Sequence, residues 1–483
     1  MRPRGAGRID AMGSAPIWRL LVRFSGPTIL SMIVAASYNL VDAIFVGRLG
    51  PEALGALAIA FPIMLIFMAV GQGTGVGATS FISRRLGAGD HEGANRAAGV
   101  AITLSIMIGA LMAAICLPNL QGLLRLFGAS GRVLPLATSY MSILATFAVM
   151  QSTFLVMGNL VRAEGNPVLS GVSAITSAVA NIILDPILIF GLGPAPAMGV
   201  AGAATATVIA HSIGAVILLV YFISSRTSYQ FHLRSFLLDF RIVAEFYRVG
   251  FSAMVRMSAQ SFMIAVANTI ATSFGVVPLA VLGVVFRLAR FTFQPTMGLG
   301  QGILPLIGYN FGAKQKERVG EIIIKAGMVA LTWGLLCWLM FMLFPRQVLL
   351  AFNADPQFLT EGITALRIFI LLFFGVQLQM IAGFFFQGIG KGIASLVIVS
   401  ARQIIFMIPG LLVLPRIFGL VGLWTAFPIA DGLAILLALV WTGLEFRKQG
   451  IRFRLRTGQP VERLADMRSE TDSERPSNRP RSF

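Results

Sequence analysis

The chain has 483 residues, 56% of them hydrophobic and only 12% charged, and its mean hydropathy is +0.82. No ordinary soluble domain of this length reaches that value, which makes the chain a polytopic membrane protein. The formal charge of +18 invites a nucleic-acid partner, but the placement of the charges removes the need for one.

About 20 apolar residues cross roughly 30 Å of hydrocarbon. Runs of that length recur at 26–47, 54–82, 98–117, 133–157, 168–190 and 200–223, and again at 250–273, 277–306, 322–344, 363–388, 393–414 and 419–444. They predict an all-α membrane protein of twelve transmembrane helices, with the Gly- and Pro-rich joins near 71–77 and 295–302 as candidate interruptions of helices two and eight. With the N-terminus in the cytoplasm, 28 of the 38 Lys and Arg residues fall on that side, which is the positive-inside bias with both termini cytoplasmic. Anionic lipid headgroups suffice as partners for the excess charge, and no nucleic acid is expected. The chain then divides into a cytoplasmic N-terminal segment (1–24), a first lobe (25–223), a cytoplasmic linker (224–248), a second lobe (249–446) and a basic tail (447–483). That tail lacks apolar periodicity and is expected to be disordered. No cleavable signal peptide is evident, so the first run is read as an uncleaved span. Cys116 and Cys337 make no disulfide framework, and metal-site, Walker A and Gly-x-Ser-x-Gly spacings are absent. An enzyme is therefore not expected, nor a cofactor.

A repeat organises the chain. "RLGAGDHEGANRAAG" faces "NFGAKQKERVGEIIIKAG", pairing Gly87 with Gly312 and Ala88 with Ala313 at an offset of 225. "LLRLFGAS" and "VLLAFNAD" pair Phe127 with Phe352, and "RAEGNP" and "QGIGKG" pair Gly165 with Gly390. At a slightly shorter offset "GVAGAATA" (199–206) meets "GLVGLWTA" (419–426). Six helices is an even number, so the two six-helix bundles are related by a pseudo-two-fold along the membrane normal, as in transporters of parallel repeats. Two such bundles rocking about a central cavity give alternating access.

Ionisable residues inside a membrane are costly and mark functional sites by default. Asp42 and Asp185 each lie six residues from an outer helix end, and Thr205 lies six residues inside the start of helix six, all about 9 Å deep. Tyr38 and Asn181 stand at i−4 from the two acids and share their faces. Two carboxylates, an amide, a phenol and a hydroxyl at neighbouring depths suit a proton or Na⁺: paired carboxylates in low dielectric repel unless a cation or proton joins them. Pro186 after Asp185 leaves the Ile182 carbonyl without its helical donor, a further oxygen for coordination or bending. Helix-end acids reaching outer water are the alternative, which fits one acid better than two with aligned polar neighbours. In the second half Asp431 lies near the midplane, with Arg256, Arg287 and Arg290 as candidate partners. His211 is a lone histidine, and a proton-relay role for it ranks below a structural one.

The order and spacing of "GPTILSMIVAASYNLVDAIFVGRLG", "GQGTGVGATSFISRRLGAGD", "RAEGNP" and "NIILDPILIFG" resemble the multidrug and toxic compound extrusion (MATE) family over roughly residues 20–446, closest to its DinF-like prokaryotic branch. The resemblance implies a V-shaped exporter that expels organic cations and other amphipathic, drug-like compounds against inward H⁺ or Na⁺, acting as a monomer in a bacterial inner membrane. In the DinF-like branch it places functional residues at Asp42, Asn181, Asp185 and Thr205, the four positions at which Na⁺ would bind. The acids of the NorM-type second-lobe Na⁺ site fall at Gln260 and Gln377, which are uncharged, so H⁺ is the expected coupling ion. A flippase for lipid-linked glycan or peptidoglycan precursor keeps the architecture, and the second-lobe arginines keep it open. A receptor or structural membrane protein ranks last, because it predicts neither a two-lobe repeat nor paired intramembrane acids.

Overall fold

The computed structural model describes residues 6–193, 196–224 and 226–451, and all its regular elements are helical. The expected tail falls outside the described residues from 452 onward. After a short helix (Ala6–Ser14) come span 1 (Ile17–Gly47), span 2 (Pro51–Gly87), span 3 (His91–Cys116), span 5 (Pro167–Phe190) and span 6 (Val200–Ile223). Span 4 is a pair, Val133–Thr146 and Ala148–Ala163, bent by 54°. In the second half, span 7 (Phe240–Ser273), span 8 (Val276–Gly312) and span 9 (Lys316–Leu343) precede a second bent pair, span 10 (Pro356–Phe369 and Phe373–Gly388, 45°). The last helical stretch runs 58 residues, Gly392–Gln449. As one rod it would reach about 87 Å, nearly three hydrocarbon thicknesses. It breaks at Gly419 (φ 58, ψ −141), and the chain turns back so tightly that a Cβ on Gly422 would meet the Leu414 carbonyl. Spans 11 (392–418) and 12 (420–449) complete the expected twelve.

The repeat is written into the backbone as well as the sequence. Gly50 (φ 120, ψ 170) and Gly275 (φ 122, ψ −178) open spans 2 and 8, 225 residues apart. The breaks in spans 4 and 10 fall at Phe147 (φ −98, ψ 17) and Leu372 (φ −112, ψ 14), at the same offset. Gly199 (φ 56, ψ −130) matches Gly419 at the shorter offset.

Two expectations about helix limits are revised. Spans 1 and 7 begin well before their apolar runs, at Ile17 and Phe240, because Ile17, Leu20, Leu21, Phe24 and Phe246 bury against the opposite lobe although Arg19, Arg23, Glu245 and Arg248 share those turns. Spans 2 and 8 are not interrupted at 71–77 or 295–302. Their glycines serve close approach between lobes instead: a Cβ on Gly77 would collide with the Phe246 backbone, one on Gly302 with Phe24 and Ser25, and one on Gly298 with Thr28 and Ile29. Gly87 and Gly312 sit symmetrically against the carbonyls of Tyr309 and Arg84.

These contacts all belong to one end of the molecule. A core containing Phe24, Ile82, Leu160, Phe246, Ile303 and Phe385 joins both halves there. At the other end the cores separate, one around Ala60, Tyr140 and Leu144, the other around Val285, Phe369 and Phe427. The lobes are thus fused at the end bearing the turns after spans 2 and 8, and keep separate cores at the end bearing Arg48 and Phe274, where a cleft between them would lie. Hydrogen bonds seal the closed end: Thr28 Oγ1 donates to Gly298 O at 2.7 Å, Thr74 Oγ1 meets Tyr247 Oη at 3.2 Å, and Ser80 Oγ donates to Gln387 O. The short first helix bridges the lobes: Arg8 donates to Tyr221 Oη at 3.0 Å, while the Met12 and Ala15 carbonyls accept from Asn310 and Arg318 of the second half. The linker is pinned rather than loose, since Glu164 accepts from Ser228 N and Thr227 Oγ1 and Tyr229 donates to Leu160 O at 2.9 Å.

Candidate functional site

In the open half of the first lobe, spans 1, 5 and 6 carry the acids and their neighbours. Asp42 stands five residues before the end of span 1 at Gly47, and Asp185 five before the end of span 5 at Phe190. Both lie about 8 Å inside their helix ends. Asp185 is fully buried, and its electrostatic neighbours include Asp42, so the structure brings the two acids together. Asn181, also buried, donates from Nδ2 to Asp185 Oδ1 at 3.2 Å and to Thr207 Oγ1 at 3.3 Å. That orientation turns the Asn181 carbonyl oxygen away from both partners. Asp42 Oδ1, Asn181 Oδ1 and Asp185 Oδ2 are all buried acceptors with no donor. Other buried oxygens also lack donors, Glu164 Oε1 in this lobe among them, but these three belong to one cluster on spans 1 and 5 that includes both acids.

Thr205 donates its hydroxyl to its own helix at Ala201 O, 2.9 Å away. Thr207, two residues on and turned through about 200°, is the threonine that accepts from Asn181. Tyr140 of span 4 was not legible in the sequence, yet it is 2% exposed and has Asp42, Tyr38 and Asp185 as electrostatic neighbours. Its hydroxyl lies 3.7 Å from Met64 Sδ. The bend at Phe147 in the middle of span 4 keeps Tyr140 in the outer core beside the acids. His211 stacks on Phe154 at 5.5 Å, a packing role.

Among the described residues no three His, Cys, Asp or Glu side chains gather to hold a metal ion. The donor set at Asp42, Asn181, Asp185 and Thr207 is two carboxylates, one amide oxygen and one hydroxyl. Hard oxygens of that kind with a surplus of negative charge take a proton or a monovalent cation.

The second lobe corrects another expectation. Asp431 is fully buried and accepts from Arg402 Nε of span 11 at 2.6 Å, not from Arg256, Arg287 or Arg290. Arg402 lies in a widened, π-helical turn (Ala401–Met407), and its guanidinium sits over the Phe293 ring at 5.4 Å. Gln260, Gln377, Arg256 and Arg287, candidates for a second-lobe polar site with Asp431, do not gather around it. Gln377 packs against Gly334 with both amide atoms unpartnered, Gln260 is exposed, Arg256 points at Met297 Sδ, and Arg287 is exposed. Removing Asp431 leaves Arg402 a largely buried charge without its counterion, at a cost of about 3–5 kcal/mol. Asp431→Ala should therefore lower the thermal unfolding midpoint of purified protein by several degrees, and Arg402→Met with Asp431→Leu should recover most of that loss. An unchanged midpoint in Asp431→Ala would show that the pair contributes nothing.

The comparisons agree with this architecture. The MatE family profile matches residues 27–187 and 252–412, two stretches that start and finish 225 residues apart. Multidrug export protein MepA of Staphylococcus haemolyticus (strain JCSC1435) is 28% identical over 430 residues, covering 88% of this chain and 92% of that protein. A solved structure of a MATE protein in complex with MaL6 superposes with a TM-score of 0.86 at 28% identity, covering 91% of this chain and 98% of that one. A multidrug resistance MATE family transporter in its outward-facing conformation superposes equally well, with a TM-score of 0.86, 28% identity and coverage of 92% and 98%.

Proposed function

The chain belongs to the MatE family, and from that premise we propose that it is a secondary multidrug exporter, expelling amphipathic organic compounds in exchange for H⁺. It would work as a monomer in a bacterial inner membrane, with both termini and the closed end in the cytoplasm and the cleft open to the outside. The observation that carries the coupling mechanism is the trio of unpartnered oxygens on Asp42, Asn181 and Asp185. Drug and counter-ion need not touch. A proton arriving from the cleft neutralises the acid pair, removes its repulsion and lets spans 1 and 5 close on each other, and that closure reshapes the cleft wall. Tyr38 and Tyr140 would tune how tightly the pair holds its charge, and Thr207, rather than Thr205, completes the polar set. Na⁺ would use the same oxygens. H⁺ is preferred because Gln260 and Gln377 leave the second lobe without carboxylates at the NorM-type positions.

Reconstituted protein with a pH gradient imposed across the vesicle should drive efflux of a fluorescent cationic drug such as ethidium. A Na⁺ gradient at matched pH should drive little. The reverse result would assign the acids to Na⁺, and no drug movement under either gradient would end the exporter reading.

A further inference from the structure

The repeat makes the two walls of the cleft equivalent in backbone, so charges that differ between them are not imposed by the scaffold. At the offset of 225, Asp42 corresponds to Ala267 and Asp185 to Gly410. In the other direction, Arg287 of span 8 corresponds to Pro62 of span 2, and Arg290 to Leu65. At these paired positions acid stands only in the first lobe, and span 8 has two arginines where span 2 is apolar.

Where those arginines point follows from span 8 itself. In its closed half Gly298, Gly302, Gly308 and Gly312 contact Ile29, Ser25, Ser83 and Arg84 of the first lobe. Moving up the same helix from Gly298 in steps of three and four residues passes Gln294, Arg290 and Arg287. The opposite face, with Val281, Val285, Ala289, Thr292 and Thr296, is buried in the second lobe. In the open half the same stripe therefore borders the cleft. Arg287 and Arg290 are exposed, and neither has a hydrogen-bond or ion-pair partner among the described residues. Arg287 is eleven residues past Val276, about 17 Å deep and so near mid-membrane. Arginines at that depth without a protein partner border a water-filled cavity and meet their counter-charge there.

We propose that Arg287 and Arg290, with Gln294 beside them, recognise an anionic group, carboxylate or phosphate, on an amphipathic substrate held in the cleft. A guanidinium presents a planar fork of donors matched to those groups. The acids of the first lobe and the arginines of the second make the cleft a polarised receptacle, suited to zwitterionic amphiphiles. This inference rests on reading the cleft as the transport pathway.

Rhodamine 123 and rhodamine 110 test it, because they share a cationic chromophore and differ in an ester against a free carboxylate. Fluorescence-polarisation binding to protein in phosphatidylcholine nanodiscs should be about tenfold weaker for rhodamine 110 in R287Q/R290Q than in the unaltered chain, with R287K/R290K, which keeps the charge but not the fork, in between. Rhodamine 123 binding should be unchanged, which also shows that the variant is folded. Adding phosphatidylglycerol separates the two anion sources: a loss of rhodamine 110 binding absent from R287Q/R290Q assigns the arginines to lipid phosphate, and no loss assigns them to substrate carboxylate. Equal effects on both dyes, no effect on either, or no rhodamine 110 binding at all would overturn the proposal. Binding as expected with no dye transport would strike the exporter reading alone.

Discussion

Asp185→Asn is expected to reduce drug efflux by at least a hundredfold while leaving the protein in the membrane, and Asp42→Asn is expected to do the same. Asn preserves the shape of Asp185 and its contact with Asn181, so packing around this fully buried side chain survives. What disappears is the negative charge, and with it the reason for a proton or Na⁺ to enter. An effect confined to coupling should leave drug binding close to normal and remove the response to an imposed pH gradient. The check is paired: ethidium binding in detergent, and gradient-driven efflux in vesicles at equal protein content. Near-normal efflux by both variants would sink the proposed mechanism, and loss of expression in both would move the acids from transport to folding.

Gly302→Leu is expected to have the next largest effect, through conformation. Its Cβ would lie 2.7 Å from Ser25 Cα and 2.9 Å from the Phe24 carbonyl carbon, which are backbone atoms of the opposing lobe that cannot rotate away. Overpacking of this kind costs about 1–3 kcal/mol, enough to shift a two-state population about 5- to 150-fold. The closed end would part, and the cleft would spend less time open on its own side. A cysteine at Ser261 reports this, because Ser261 is exposed on the stripe of span 7 that continues from Phe246, Gly250 and Met254. Its labelling by an impermeant maleimide from the outside should fall at least fivefold in the Gly302→Leu background. Unchanged labelling would show that the glycines are not what holds this end shut.

Much of this was readable from the residues alone, for physical reasons. Hydrophobic length counts spans well because bilayer thickness is fixed, and depth follows from rise per residue, so Asp42, Asn181 and Asp185 were found by counting. Helix phase is harder. Thr205 and Thr207 differ by two residues and point almost oppositely, and only the packing of span 6 against span 5 shows which one meets Asn181. Tyr140 announced nothing, since its significance depends on how the outer half of span 4 packs on spans 2 and 6 and so comes near the acids. Arg402 was not singled out as the partner of Asp431, and its π-helical turn alters the phase on which partner counting relies. The glycines of spans 2 and 8 read as breaks because Gly weakens isolated helices; their use against a second lobe is a tertiary fact.

The short helix Ala6–Ser14 carries a consequence for the work of a transport cycle. It is tied by Arg8 to Tyr221 on one side, and by its Met12 and Ala15 carbonyls to Asn310 and Arg318 on the other. Lobes that part at this end must first unfasten that strap, and the larger number of bonds on the Arg318 side favours letting go at Tyr221. In an exporter working by the proposed alternation, the helix Ala6–Ser14 would travel with the second lobe although it is covalently continuous with the first.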